Sequence, residues 1–461
     1  MVVLALAGLD FGLESAIVLP ALPAIADHYD ASVVALAWFA SGFLLASAVA
    51  IPLLGRLGDL FGKRLILLVA LSGFGIGSLL CAVTDSVAVA IAGRVIQGVG
   101  GAAPALSFGL ARDTVDREQL PRALGIIVGG IGVGGAAGFL LSGVLVDGFS
   151  VAAIFWFLLA AAIALSIAVL VLVPESPVRL RLPIDGGGAA LLALGLTSFL
   201  VAISRGNAWG WSSARILTLF GAAGVLLCAF VLLERRVRDP LVDLGLVATR
   251  PFAEANVCHF LLGFCFIVPL FVVPQIAATP DANGYGFGFT TTQTGFLQLP
   301  TAIGIFVGGH VAGRRIVSLG PRRLVVGASA LGVAGNLSLA AAHGTVAAIV
   351  MATAILGLGM GLSVTGLTTV VVGHASSDKT GIAAAVNYVM RTIGAAVGAQ
   401  VAAAVIIAAG LAGNVRDESG FTRALMIGGI AACLGLLSAG FLPAREVDVR
   451  ETGLGVGHAA R

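Results

Sequence analysis

Charge is scarce in this chain. Only 11% of its 461 residues are Asp, Glu, Lys or Arg, where soluble domains carry about a quarter. With 59% hydrophobic residues and a mean hydropathy of +1.07, so little polar surface could not cover the molecule in water, which excludes an ordinary soluble domain. Cysteine is sparse too. Cys81, Cys228, Cys258, Cys265 and Cys433 all fall within apolar runs and form no CxxC pair, so neither a disulfide framework nor a metal site is indicated. The net charge of +3 is too small to argue for a nucleic-acid partner. There is no GxxxxGK[ST] loop to take energy from a nucleotide, and no nucleophile motif or His/Asp constellation of an enzyme. A basic leader is also missing. The first apolar run holds Asp10 and Glu14 and is expected to stay in the mature protein; a start upstream of Met1 stays open.

What is present is apolar sequence in span-sized pieces. Runs fall at 1–26, 34–54, 65–83, 87–110, 123–146, 152–173, 188–204, 215–233, 257–277, 292–312, 324–341, 346–368, 380–409 and 421–443. Each can cross a hydrocarbon core of about 30 Å, which takes about 20 helical residues, so an all-α polytopic membrane protein of fourteen spans is expected. The basic residues agree. Twenty of the 26 lie in alternate connections and the tails, as in Arg56, Lys63 and Arg64 or Arg314, Arg315, Arg322 and Arg323. The opposite connections hold only Arg205, Arg215, Arg416 and Arg423, while Arg94 and Arg391 lie inside spans. Positive residues concentrate on the cytoplasmic side, so both termini are expected there. Trp209 and Trp211 suit the opposite interface as anchors.

Two connections resemble each other: GRLGDLFGKR at 55–64, after the second run, and GRRIVSLGPRR at 313–323, after the tenth, each with glycines seven apart. If spans one to six match nine to fourteen, spans seven and eight are an inserted pair. GRLGDLFGKR resembles the loop signature of the major facilitator superfamily, and the span count resembles its fourteen-span drug:proton antiporter branch. LESAIVLPALP at 13–23 is similar to that branch's first-helix pattern, and RVIQGVGGAA at 94–103 to its fourth-helix arginine motif. The resemblance covers essentially the whole chain. It implies two six-helix bundles (1–173 and 257–443), an inserted pair with its connections (174–256) and a cytoplasmic tail (444–461). It also implies a monomeric, cofactor-free, proton-coupled multidrug-type exporter in a bacterial-type inner membrane. A symporter or a carrier of lipid-like substrates is the nearest alternative, and a non-transport membrane protein a more remote one.

Charges inside spans are the leading site candidates, since each costs about 2.5–3.5 kcal/mol at a helix centre and belongs in a bundle interior or near water. By helical rise Glu14 lies about 18 Å from one end of its span and Arg94 about 10 Å from the other end of its own, which places them at similar depths. Asp10 and Glu14, at i and i+4, share a face and repel one another when both are charged. Glu14 is therefore the candidate proton carrier, with Asp10 assisting. A static Glu14–Arg94 ion pair is the competing reading. The resemblance associates Arg94 with proton transfer, and Gln97 suits a cavity wall. Asn387 and Arg391 could bind substrate or lock helices together. His259 and His310 read as packing or interfacial residues rather than a relay. The spans offer few polar groups, so a lipophilic or amphipathic small molecule fits better than a sugar.

In GRLGDLFGKR, Gly55 and Gly62 are expected to permit a tight turn, with Arg56, Asp59, Lys63 and Arg64 forming a charged cytoplasmic gate. The resemblance implies that this loop braces the two bundles, and the start of the thirteenth span near Thr380 and Gly381 is the expected partner of Asp59. Gly130, Gly134 and Gly138, four apart, allow close helix packing. They resemble the family's fifth-helix signature, although this chain lacks its proline and later paired glycines.

Overall fold

The computed structural model describes the chain except for residue 1 and residues 116–118, 177–185, 238–239, 241–243, 282–284, 375–379, 411–417 and 444–461. Apolar runs of this length have no water to bond their backbones, and a helix satisfies those groups within the segment. Among the described residues, thirteen helices are long and apolar enough to cross a membrane, and a bent pair makes a fourteenth.

In chain order the first eight spans are Val2–Ile17 with Leu22–Tyr29, Val33–Phe61, Lys63–Val83, Val87–Thr114, Leu120–Gly148, Val151–Leu172, Gly186–Trp209 and Ala214–Glu234. The remaining six are Arg250–Ala278, Thr291–Leu319, Pro321–Ala342, Val346–Gly373, Thr380–Gly410 and Glu418–Ala439. Each expected run lies on one of them.

The first departs from an uninterrupted helix: its two parts meet at 60°. Pro20 has no N–H to continue the ladder and its ring crowds the preceding turn, so Val18–Ala21 form turns, with Leu19 N–H donating to the Ala16 carbonyl at 3.1 Å. Glu14 thereby falls in the last turn before the break. The ninth span carries Pro269 and Pro274, which leave the carbonyls of Cys265 and Leu270 without their helical donors. Side-chain amides of neighbouring spans reach them instead: Asn336 donates to Cys265 at 3.5 Å and Gln298 to Leu270 at 3.4 Å.

Packing repeats with an offset of eight spans. The first packs on the fifth as the ninth packs on the thirteenth, the third on the sixth as the eleventh on the fourteenth, and the third on the fourth as the eleventh on the twelfth. Two six-helix bundles with an inserted pair result. Glycines set the closest approaches: a Cβ at Gly12 or Gly134 would run into backbone across the first–fifth contact, and one at Gly263 or Gly394 into backbone across the ninth–thirteenth contact.

Two seams join the bundles, second against thirteenth and fifth against tenth. The seventh span lies over the first of these seams. Its Ser204 hydroxyl accepts from Trp38 of the second span at 3.0 Å, and its Asn207 amide donates to the Ala404 carbonyl of the thirteenth. The eighth packs outside it, on the seventh. The seventh span therefore ties the inserted pair to both bundles. Trp209 and Trp211 stay exposed, with the Arg205 and Arg215 guanidiniums 5.9 and 5.7 Å from the Trp209 ring, an anchor at the arginine-poor end.

Candidate functional site

Glu14 and Asp10 are both buried, 2% and 7% exposed, on the inner face of the first span. Glu14 Oε1 has no hydrogen-bond partner. Arg94 of the fourth span is also buried, but the ion pairs among the described residues do not join it to Glu14. Neutral groups hold it instead. Its Nε donates to the Phe39 carbonyl at 3.2 Å, and Nη1 donates to Gln97 Oε1 at 2.7 Å. The guanidinium also lies over the Phe43 ring, 4.7 Å from its centroid. Gln97 is fixed in turn by donating from Nε2 to Ser78 Oγ at 2.7 Å, and Ser78 donates to the Phe74 carbonyl. Gln97, expected as a cavity wall, is a fully buried clamp on Arg94. Directly after it the span tightens into a 3-10 segment, Gly98–Ala102, where Gly98 and Gly101 lie against Phe43, Ala46 and Ser47 of the second span.

On the thirteenth span Asn387 and Arg391, candidates for binding substrate or locking helices, meet different surroundings. Asn387 faces the ninth span: its Nδ2 donates to Asn256 Oδ1 at 3.0 Å, and its Oδ1 is 2.7 Å from His259 Nδ1. All three are buried in this helix-to-helix contact. Arg391 instead lies over Tyr388, 4.6 Å from the ring centroid, and Tyr388 stands 6.3 Å from Phe11 on the first span. Arg391 Nε has no partner. So the second bundle sets an aromatic ring, with a cation over it, beside the helix that carries the two acids. His310 is exposed and stacks on Phe306.

At the arginine-rich end, GRLGDLFGKR is mostly helix. The second span runs on to Phe61, and the turn is Gly62 alone, at φ +113°. Gly55 sits within the helix with nothing in reach of a Cβ, so it serves neither a turn nor a close approach. The corresponding Gly320 of the second copy also has positive φ, +74°. Asp59 pairs with Lys63 at 3.0 Å, and Lys63 pairs with Asp113 of the fourth span at 2.6 Å. This charge group thus ties the second, third and fourth spans of one bundle. Thr380 opens the thirteenth helix, but its side chain and the surroundings of Gly381 lie outside the described residues, and Asp59 is engaged with Lys63. Arg64 donates from its backbone to Glu175 Oε1 at 2.9 Å and from its guanidinium to the Val173 carbonyl at 3.0 Å. Arg56 is half-buried. Of the fifth-span glycines, Gly134 and Gly138 press on Leu9 and Leu13 of the first span, within one bundle, and Gly130 is half-buried.

Several functional-looking groups escaped the sequence reading. Glu175 closes the start of the third span, Asp113 completes the Lys63 group, and Ser41 accepts from Gln400 at 2.7 Å across the second–thirteenth seam. Asp147 accepts from the backbone of Thr291 and Thr292 across the other seam. Asp113, Glu175 and Asp147 end a helix or follow one closely, where a lone carboxylate reads as solvated, and nothing in the sequence names their partners. Among the described residues no cluster of three His, Cys, Asp or Glu is placed to hold a metal.

The family model described as Major Facilitator Superfamily matches residues 4–399. The chain is 32% identical over 395 residues to the tetracenomycin C resistance and export protein of Streptomyces glaucescens, covering 84% of this chain and 72% of that one. It is 27% identical over 399 residues to the multidrug resistance protein Stp of Mycobacterium tuberculosis, covering 86% and 73%. An MFS-type transporter of the same species, 30% identical over 391 residues, is longer, and the chain spans about half of it, 55%. In fold it is similar to the crystal structure of the human organic anion transporter MFSD10, with a TM-score of 0.65 over 95% of this chain and 98% of that one, at 19% identity. With two packed six-helix sets, an inserted pair of spans and a family match along most of its length, the chain is a polytopic transporter belonging to the Major Facilitator Superfamily.

Proposed function

We propose that the chain is a proton-coupled exporter that exchanges inbound protons for an outbound lipophilic or amphipathic small molecule by alternating access. In this reading residues 1–173 and 257–443 are the moving bundles, and the arginine-rich end faces the cytoplasm of a bacterial-type inner membrane. The protein acts as a monomer. The observation that carries the proposal is Glu14, buried with an oxygen free of any partner while Arg94, within Coulombic reach, is held by neutral groups. A static ion pair would satisfy both groups. An acid left unpaired at this depth costs free energy that a purely structural residue would not need to bear.

The chemistry follows from the arrangement. A proton on Glu14 removes its charge and leaves Arg94 in its cage of carbonyl, amide and ring. When the proton leaves, the carboxylate becomes attractive to the guanidinium, and that change in attraction between the first and fourth spans is what couples titration to shape. Asp10, one turn away, supplies a second carboxyl on the same face. The direction of transport is supported by similarity to a protein named for resistance and export.

The test uses purified protein in liposomes with an imposed pH gradient. The parent should move a lipophilic cation or an aromatic antibiotic against proton flow, with internal acidification. Glu14→Gln should abolish gradient-driven movement while leaving downhill exchange of substrate. Gradient-driven transport by the variant at the parent's rate would remove Glu14 from the mechanism.

A further inference from the structure

The two seams between the bundles are closed in different ways. The second–thirteenth seam carries the buried Ser41–Gln400 hydrogen bond and is overlaid by the seventh span. No other described span packs across the fifth–tenth seam. There the two helices touch backbone to backbone near their arginine-poor ends: a Cβ on Gly143 would strike Thr292, and one on Gly295 would strike Phe139.

At that end the tenth helix begins. The first N–H groups of a helix have no partner within it and must find one elsewhere. Here they are divided between the bundles. Gln293 N–H goes to the helix's own cap, Thr290 Oγ1, at 3.4 Å. Thr291 and Thr292 N–H go to Asp147, at 3.2 and 2.7 Å, in the last turn of the fifth helix. The carboxylate sits on the positive end of the helix dipole, where its charge is favoured. Glu175 does similar work at the start of the third helix, donated to by Arg64 and Leu65 N–H, but both of its ends lie in one bundle and travel together. Asp147 belongs to the opposite bundle from the helix it caps.

The geometry points to Asp147 as the latch of the arginine-poor face: it holds the fifth and tenth helices together there, and the transport cycle must break both of its backbone hydrogen bonds whenever that face opens. This rests on the alternating-access reading above, though on none of its proton chemistry. Such bonds lose their strength beyond about 3.5 Å, so a small separation of the helices is enough to release them. Asp147 is exposed, and water takes over both partners as they part, which keeps the latch breakable.

Spin labels on Phe149→Cys and Asp281→Cys, exposed on opposite bundles at this end, report the separation in protein whose exposed Cys228 and Cys433 are replaced by alanine. Without substrate or gradient, Asp147→Asn should raise the open-to-closed ratio by roughly five- to tenfold, the effect of losing a charge-assisted hydrogen bond. Asp147→Glu, which keeps the charge, should stay near the parent. Superimposable distances for parent and Asn variant, or equal shifts for Asn and Glu, would overturn the latch. If the Asn variant fails to insert, amide hydrogen exchange in the parent decides. Slow exchange at Thr291 and Thr292 supports the latch, and exchange as fast as in the adjoining turn overturns it. Because neither measurement involves transport, a failed latch and a failed efflux reading remain separable.

Discussion

Arg94 shows how a single charge is kept inside a membrane bundle without a counter-ion. Its donors meet a carbonyl and an amide oxygen, and its face meets an aromatic ring. Gln97 matters most here, because it is itself clamped by Ser78 and so holds the guanidinium in one place. Gln97→Ala removes a hydrogen bond to a charged group, a loss of about 1.5–3 kcal/mol. Gradient-driven transport should fall by about tenfold or more while the amount of inserted protein changes little. The measurement is initial uptake rate in vesicles, normalised to protein detected by immunoblot; parent-like rates would mean that Arg94 needs no clamp.

At the scale of helices, the sequence was informative about where each span lies and silent about what its ends touch. Hydropathy depends on the solvent alone, so it places all fourteen spans, and the alternation of arginines agrees with that count. Pro20 and Pro23 were visible, yet the 60° break they produce also requires the neighbours that accept it. Glu14 and Arg94 were legible as site candidates because hydrocarbon does not tolerate idle charge. The partners of Asp59, Asp113, Glu175 and Asp147 were not, since a carboxylate at a helix end satisfies itself in water until tertiary packing brings donors to it. Glycines divide the same way. Gly62→Ala places a side chain at φ +113° and drives it into the Glu175 carboxylate, a strain of about 1–3 kcal/mol before the collision is counted. Gly55→Ala adds a methyl to open space in a helix interior and should be neutral or stabilising by up to about 1 kcal/mol. Thermal unfolding in lipid nanodiscs checks the pair: the first should melt several degrees lower, the second at or above the parent.

For the molecule as a whole, the eight-span offset in packing shows that the duplicated sequence signal extends to the architecture, and the inserted pair breaks the resulting symmetry. By lying over one seam, the seventh span gives the transporter two unlike flanks in the plane of the bilayer. If the substrate is the lipophilic compound proposed above, it meets an extra protein layer on one side and a bare junction of two helices on the other, so its access would be sided. A bulky maleimide at Phe296→Cys on the tenth helix, with Cys228 and Cys433 replaced by alanine, should therefore slow export of lipid-dissolved compounds, whereas the same adduct on native Cys228 of the eighth, with Cys433 replaced by alanine, should leave it unchanged. Equal slowing by both adducts would mean that the two flanks are equivalent doors.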